Sequence, residues 1–126
     1  HKRLLAIMIM HRIIQQFEEG KRPLSSSEIA ISLGIPARLT NQLINMLVDC
    51  ELVSETYDKE HNESGFQPAR TINTITIQSM IETIDYLGME DINVSDVTLL
   101  EAVEEKIAAF RATIEKSPAN VLVKNL

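Results

Sequence analysis

Apolar residues recur along this chain at two different periods, and the change between them marks out its elements. Between residues 3 and 19 they fall at Leu4, Leu5, Met8, Ile9, Ile13 and Phe17, close to helical spacing, and Gly20 stops the run. Ile7, Met10 and Ile14 widen the apolar surface of this first helix, so it is expected to touch more than one neighbour or a second subunit. After Lys21-Arg22-Pro23, the run Ser25-Ser26-Ser27-Glu28 fits a capping box, in which a serine hydroxyl and the Glu28 carboxylate satisfy orphan amides at a helix start. The second helix then runs to Leu33. Gly34 suits a left-handed helix end, and Pro36 is pre-set for the first turn of a third helix over about 36–49. That helix is expected to bury Leu39, Leu43, Ile44, Leu47 and Met46.

The period then changes. Residues 52–57 alternate like a strand, 58–65 are polar and end in glycine, and 66–70 can return as a second strand, with Pro68 requiring an edge. Three helices followed by such a hairpin predict a winged helix-turn-helix, so the fold class is mainly α with a small two-stranded β-wing. Residues 1–70 form that winged-helix domain and 71–126 a C-terminal helical extension. Within the extension, residues 76–87 predict an amphipathic helix ended by Gly88, and 89–96 a polar connector with Ser95 or Asp96 as the next cap. Leu100, Val103, Ile107, Phe110 and Ile114 follow at spacings of 3, 4, 3 and 4, a seam that ends before Pro118. Two heptads are too few for a free coiled coil; the seam either packs on the first helix of its own chain or forms a dimer contact.

Composition narrows the function classes. In 126 residues, 44% hydrophobic content is enough for a real core. The lone Cys50 excludes an internal disulfide framework and a four-cysteine zinc site, which fits a reducing compartment. The longest apolar run, Leu4 to Met10, is far short of the roughly 20 residues needed to span a bilayer. The first residue is His1, so the chain reads as a piece of something longer or as carrying a tag remnant. Net charge is −6, divided as +1 over residues 1–20, −2 over 21–70 and −5 over 71–126. An acidic total disfavours a free-standing nucleic-acid binder, because such affinity comes largely from Lys and Arg releasing counterions from phosphate.

No catalytic, cofactor or metal constellation stands out. His1, His11 and His61 are far apart and fit no metal-ligand spacing. Asp58, Glu60, His61 and Glu63 in the wing form a local cluster suited to a divalent ion in principle, but a solvated hairpin tip explains them more simply. Glu101, Glu104 and Glu105 favour the start of the last helix through its dipole. There is no glycine-rich phosphate loop and no G-x-S-x-G. Asp49 and Glu51 beside Cys50 disfavour a thiolate nucleophile. The third helix does offer Arg38, Asn41, Gln42 and Asn45, side-chain types that pair with guanine and adenine edges, yet the surrounding module supplies only Lys21, Arg22, Arg38, Lys59 and Arg70 to hold phosphate.

The stretch RLLAIMIMHRIIQQFEEGKRPLSSSEIAISLGIPARLTNQLINMLVDCELVSE, with FQPARTINTITI and the ending VLVKNL, resembles the cytoplasmic C-terminal extension of some bacterial YihY/BrkB inner-membrane proteins, formerly labelled ribonuclease BN. That resemblance implies a membrane-spanning helical domain before His1, with Lys2, Arg3 and Arg12 as a positive juxtamembrane segment. It places the chain at the cytoplasmic face of the bacterial inner membrane, as a non-catalytic regulatory domain that docks on its own membrane portion or self-associates; the ribonuclease label finds no supporting residues. The core EIAISLGIPARLTNQLINMLVDCELV is also similar to Rrf2-type transcription regulators, whose last helix dimerises. Glu51 stands where such motifs commonly place glycine, and the cysteines of cluster-binding members are absent, so this chain alone has no iron–sulfur ligands. The leading expectation is the membrane-protein appendage; the alternative is a dimeric winged-helix DNA-binding regulator.

Overall fold

The computed structural model describes residues 1–87 and 94–126; Gly88 as a helix stop and the first part of the connector, residues 88–93, lie outside them. The described residues are mainly helical. Helices α1 (Lys2–Glu18), α2 (Ser26–Leu33) and α3 (Ala37–Asp49) precede a hairpin of β1 (Val53–Asp58) and β2 (Glu63–Pro68), followed by α4 (Ile77–Leu87) and α5 (Val97–Glu115). Short 3-10 turns at Ile72–Thr74 and Val123–Asn125 complete the fold. This is the winged helix expected from the sequence. Among the described residues no helix is long and apolar enough to cross a membrane.

The first three helices end in the same way. In each, one left-handed residue lets the next amide reach back over the last turn: Lys21 N to Gln16 O at 3.2 Å, Ile35 N to Ala30 O at 3.1 Å and Leu52 N to Leu47 O at 3.0 Å. The left-handed residues are Gly20, Gly34 and Glu51, with φ of 66°, 68° and 59°. Glycine adopts this conformation freely and glutamate does not. Arg70 secures the third end by donating to the carbonyls of Glu51 (3.1 Å) and Cys50 (2.9 Å). Those acceptors are backbone atoms, so Glu51→Gly keeps them and removes only the strain. It is expected to raise stability by about 0.5–1 kcal/mol; an unchanged or lowered midpoint in urea denaturation would show that the backbone at Glu51 is not strained.

The start of α2 is the capping box expected from its sequence: Ser25 Oγ accepts from Glu28 N at 3.2 Å, and the Glu28 carboxylate accepts from Ser25 N at 3.1 Å. The wing differs in detail from the expected hairpin. Its strands extend to Asp58 and resume at Glu63, in antiparallel register with Glu55 opposite Phe66. Side chains close the tip: Asp58 accepts from Glu60 N at 2.9 Å, the Tyr57 hydroxyl bonds the Asn62 side chain, and Asn62 takes the left-handed conformation with φ 51°. Gly65 therefore serves the strand and not the turn. A Cβ there would lie 2.7 Å from the Pro23 carbonyl oxygen, so only glycine lets the linker cross β2. Phe66 N donates to Leu24 O at 3.0 Å, on the side of β2 away from β1. Pro68, two residues on, faces the same way, where its missing donor interrupts no bond to β1.

The core centres on α1, which buries Ala6, Ile9, Met10, Ile13 and Ile14 against Leu43, Ile44 and Leu47 of α3, Leu52, Val53 and Phe66 of the wing, and Met80 of α4. Leu39 and Met46, expected in the core, lie at its margin, while Thr40 is fully buried with its hydroxyl donating to Pro36 O at 3.1 Å. The chain end also returns to α1. Val123 is fully buried and bonds Ile75 O at 2.9 Å, and Asn120 accepts from Gln78 N at 2.9 Å at the start of α4. By contrast, α5 has no buried residue. Its N-cap is Asp96, whose side chain accepts from Leu99 N at 3.0 Å, and Arg111 reaches Glu82 of α4 at 3.3 Å.

Candidate nucleic-acid interface

Helix α3 is sharply two-sided. Thr40, Leu43, Ile44 and Leu47 face the core, and Arg38, Asn41, Gln42 and Asn45 are all exposed. The four candidate readers thus share one outward surface. On one flank the Ser26 hydroxyl, in the first turn of α2, donates to the Asn41 side-chain oxygen. On the other flank, Gln42 and Asn45 border a groove of about 310 Å³ with Lys2, Met46 and Asp49. Lys2 was not legible as a member of this surface, because its place beside α3 follows from how α1 crosses the core and not from local pattern.

Most other cations of the module are engaged elsewhere. Arg22 donates to both carboxylate oxygens of Glu28, at 3.0 and 2.9 Å, and lies 3.5 Å from Glu63. Its hydrogen bond holds the Glu28 carboxyl down at about 2, against the opposing effect of partial burial. Arg22 therefore ties the start of α2 to the wing. Lys21 pairs with Glu19 at 2.8 Å, Arg12 bonds the Ser32 hydroxyl, and Arg70 serves the end of α3. Among the described residues, Lys2, Arg38 and Lys59 take part in no ion pair.

The wing carboxylates are partly compensated. Asp58 lies 2.6 Å from His61 Nδ1, and that hydrogen bond lowers its carboxyl below the usual range. Asp58, Glu60 and His61 offer ligand atoms within 4.8 Å of one another, while Glu63, grouped with them from the sequence, turns to Arg22 instead. The cluster is a solvent-facing tip closed by its own hydrogen bonds. Cys50 is buried, and burial before any neighbouring charge pushes its thiol up, opposed by Arg70. The expected obstacle to a thiolate was acidic neighbours; desolvation is the larger one.

The seam residues Leu100, Val103, Ile107, Phe110 and Ile114 form one stripe on α5, all exposed, with Phe110 at 68%. Ile107, Phe110 and Ile114 border a cleft of about 610 Å³ shared with Ile81, Glu82 and Tyr86 of α4.

No family profile and no curated protein matches the sequence. The fold does have solved counterparts. The chain resembles CymR, described as the global cysteine regulator of B. subtilis, at 16% identity and a TM-score of 0.66, over 99% of this chain and 92% of that one. CymR of Staphylococcus aureus matches at 18% identity and a TM-score of 0.62, over 98% and 92%. T. potens IscR matches at 19% identity and a TM-score of 0.60, over 90% and 76%. At these identities the likeness shows the fold.

These neighbours go with the Rrf2-type resemblance and overturn the one to YihY/BrkB proteins. The architecture covers 92% of each CymR chain and 76% of IscR. The expected appendage docked on a membrane portion, its place at the inner-membrane face, the attachment through a preceding segment and the ribonuclease label are all withdrawn with that resemblance. The positive N-terminal end also has another account: Arg3 pairs with Asp85 at 2.9 Å, Arg12 bonds Ser32, and Lys2 borders α3.

Proposed function

We propose that this chain is a sequence-specific DNA-binding transcription regulator of Rrf2-like type, without enzymatic activity, working as a homodimer through α5. The outward face of α3 carries the proposal. Arg38, Asn41, Gln42 and Asn45 supply donors and acceptors matched to base edges, on one exposed side of a helix whose other side is locked into the core. The acidic total is compatible with this role because of where the charge sits: residues 71–126 hold −5 of it, in the extension that follows the reading module. With Arg38 reading bases, Lys2 and Lys59 remain for phosphate, few for one subunit. A dimer doubles them, which is the physical reason to join the α5 seam to the α3 face in one mechanism.

Selection from a random duplex library, followed by affinity against salt, tests the proposal. With about four phosphate contacts per dimer, log K should fall against log salt with a slope of roughly −3.5. Arg38→Ala should weaken the selected site by about 1–3 kcal/mol and erase the preference at one base position. Failure to retain any duplex at low salt would end the proposal.

A further inference from the structure

The wing is rooted at its base and aimed from outside. Val53 and Phe66 bury the base in the core, and Ala69 N donates to Leu52 O at 2.9 Å across the open end of the hairpin. Toward the tip the fastening comes from the linker between α1 and α2. Phe66 N reaches Leu24 O at 3.0 Å, Pro23 lies across Gly65, and Arg22 stands 3.5 Å from Glu63. An ion pair that long between half-exposed side chains holds weakly, so what places the outer wing is the close contact of Pro23 on Gly65. A Cβ at residue 65 would meet the Pro23 carbonyl oxygen at 2.7 Å and the Pro23 Cβ at 2.8 Å, so either the linker or the strand would have to move. The linker is the less free of the two: Arg22 grips both Glu28 carboxylate oxygens, at 3.0 and 2.9 Å, and Ser25 N donates to the same carboxylate at 3.1 Å. The outer wing has room, because a cleft of about 430 Å³ opens beside it between Arg22, Thr56, Asp58 and Lys59. Gly65 lies opposite Thr56 in the register, and Lys59 follows three residues on.

We infer that Gly65 is a positioning residue: by letting the linker lie against β2 it sets where the wing carries Lys59, and with it the phosphate contact that Lys59 makes. The inference rests on the DNA-reading proposal above and adds what aims the wing onto the duplex. Salt titrations of duplex binding, binding-site selection and thermal melts test it, on the wild-type chain, Lys59→Ala, Gly65→Ala, Pro23→Gly and the double variant Gly65→Ala with Lys59→Ala. Lys59 supplies two of about four contacts per dimer, so Lys59→Ala should make the slope of log K against log salt shallower, from roughly −3.5 to roughly −1.8. Gly65→Ala should do the same although it changes no charge, with the selected sequence unchanged, and should add nothing in the Lys59→Ala background. Pro23→Gly takes the ring off Gly65 without adding an atom; it should make the slope shallower by a smaller amount, and it carries the test should Gly65→Ala not fold. Weaker binding at the wild-type slope would mean that these variants lose stability alone, and that result would overturn the inference. So would wild-type binding by both, a slope shallower in the double variant than in Lys59→Ala, or a Lys59→Ala slope equal to that of the wild type. A wild-type chain that holds no duplex at low salt would remove the DNA-reading proposal itself and this inference with it.

Discussion

Aspartate in place of Phe110 or Ile107 is expected to give a folded monomer that binds its DNA site at least 100-fold more weakly than the native chain. Neither residue is buried within the subunit, so neither holds the fold together. In a dimer joined along Leu100, Val103, Ile107, Phe110 and Ile114 the new carboxylate would sit in an apolar contact without a partner, which costs several kcal/mol and outweighs what a two-heptad seam contributes. Loss of the second subunit removes half of the phosphate contacts and the second α3, so affinity falls by far more than loss of one side chain. Light scattering reads the mass and a gel-shift titration reads the binding. A native chain that stays monomeric at high concentration, or variants that still dimerise, would end the idea. Thermal melts separate the other role open to the stripe: were it to fold back on α1 in solution, aspartate would lower the melting temperature and leave the mass unchanged.

The local rules that carried the sequence reading were those with short range. Helix ends followed from Gly20 and Gly34, the start of α2 from Ser25 and Glu28, and the hairpin from a change of period. Glu51 broke the first of these rules and the fold tolerated it, because Arg70, 19 residues away, holds the carbonyls that the turn exposes. Gly65 looked like the end of a loop and is a strand residue, because what requires it is the Pro23 backbone, contributed by another part of the chain. The candidate readers were legible as side-chain types at helical spacing. Whether charge supported them was not, since composition cannot tell a free cation from one already engaged: Arg22 counts the same as Arg38 in a sum, but Arg22 is bound to Glu28. The −6 total weighed against nucleic acid for the same reason, although most of it lies in residues 71–126. The membrane reading failed on a further ambiguity. Apolar and basic residues at the start of α1 suit a juxtamembrane helix and a core helix equally well until its neighbours are known.

Those neighbours also decide a pair of substitutions on α1, and the pair should differ widely. Ile14→Ala is expected to cost about 2–5 kcal/mol, a large fraction of the 5–15 kcal/mol typical of a domain, whereas Met8→Ala should cost under about 0.5 kcal/mol. Both residues are apolar, both sit on one helix, and periodicity allowed either into the core. The buried set is Ala6, Ile9, Met10, Ile13 and Ile14, a stripe at helical spacing, and Leu4, Met8 and Phe17 are left outside it. The choice is made by elements far away in sequence: α3, the wing, α4 and the returning Val123 segment pack on α1, where Ile14 is fully buried and Met8 stays 45% exposed. Removing atoms from Ile14 opens a cavity that the packed core around it cannot fully collapse to fill, while the space vacated at Met8 is taken by water. Urea denaturation of the two variants side by side reads the difference. Equal losses would mean that α1 is seated on its other stripe, which would also move Lys2 away from the groove beside Gln42 and Asn45.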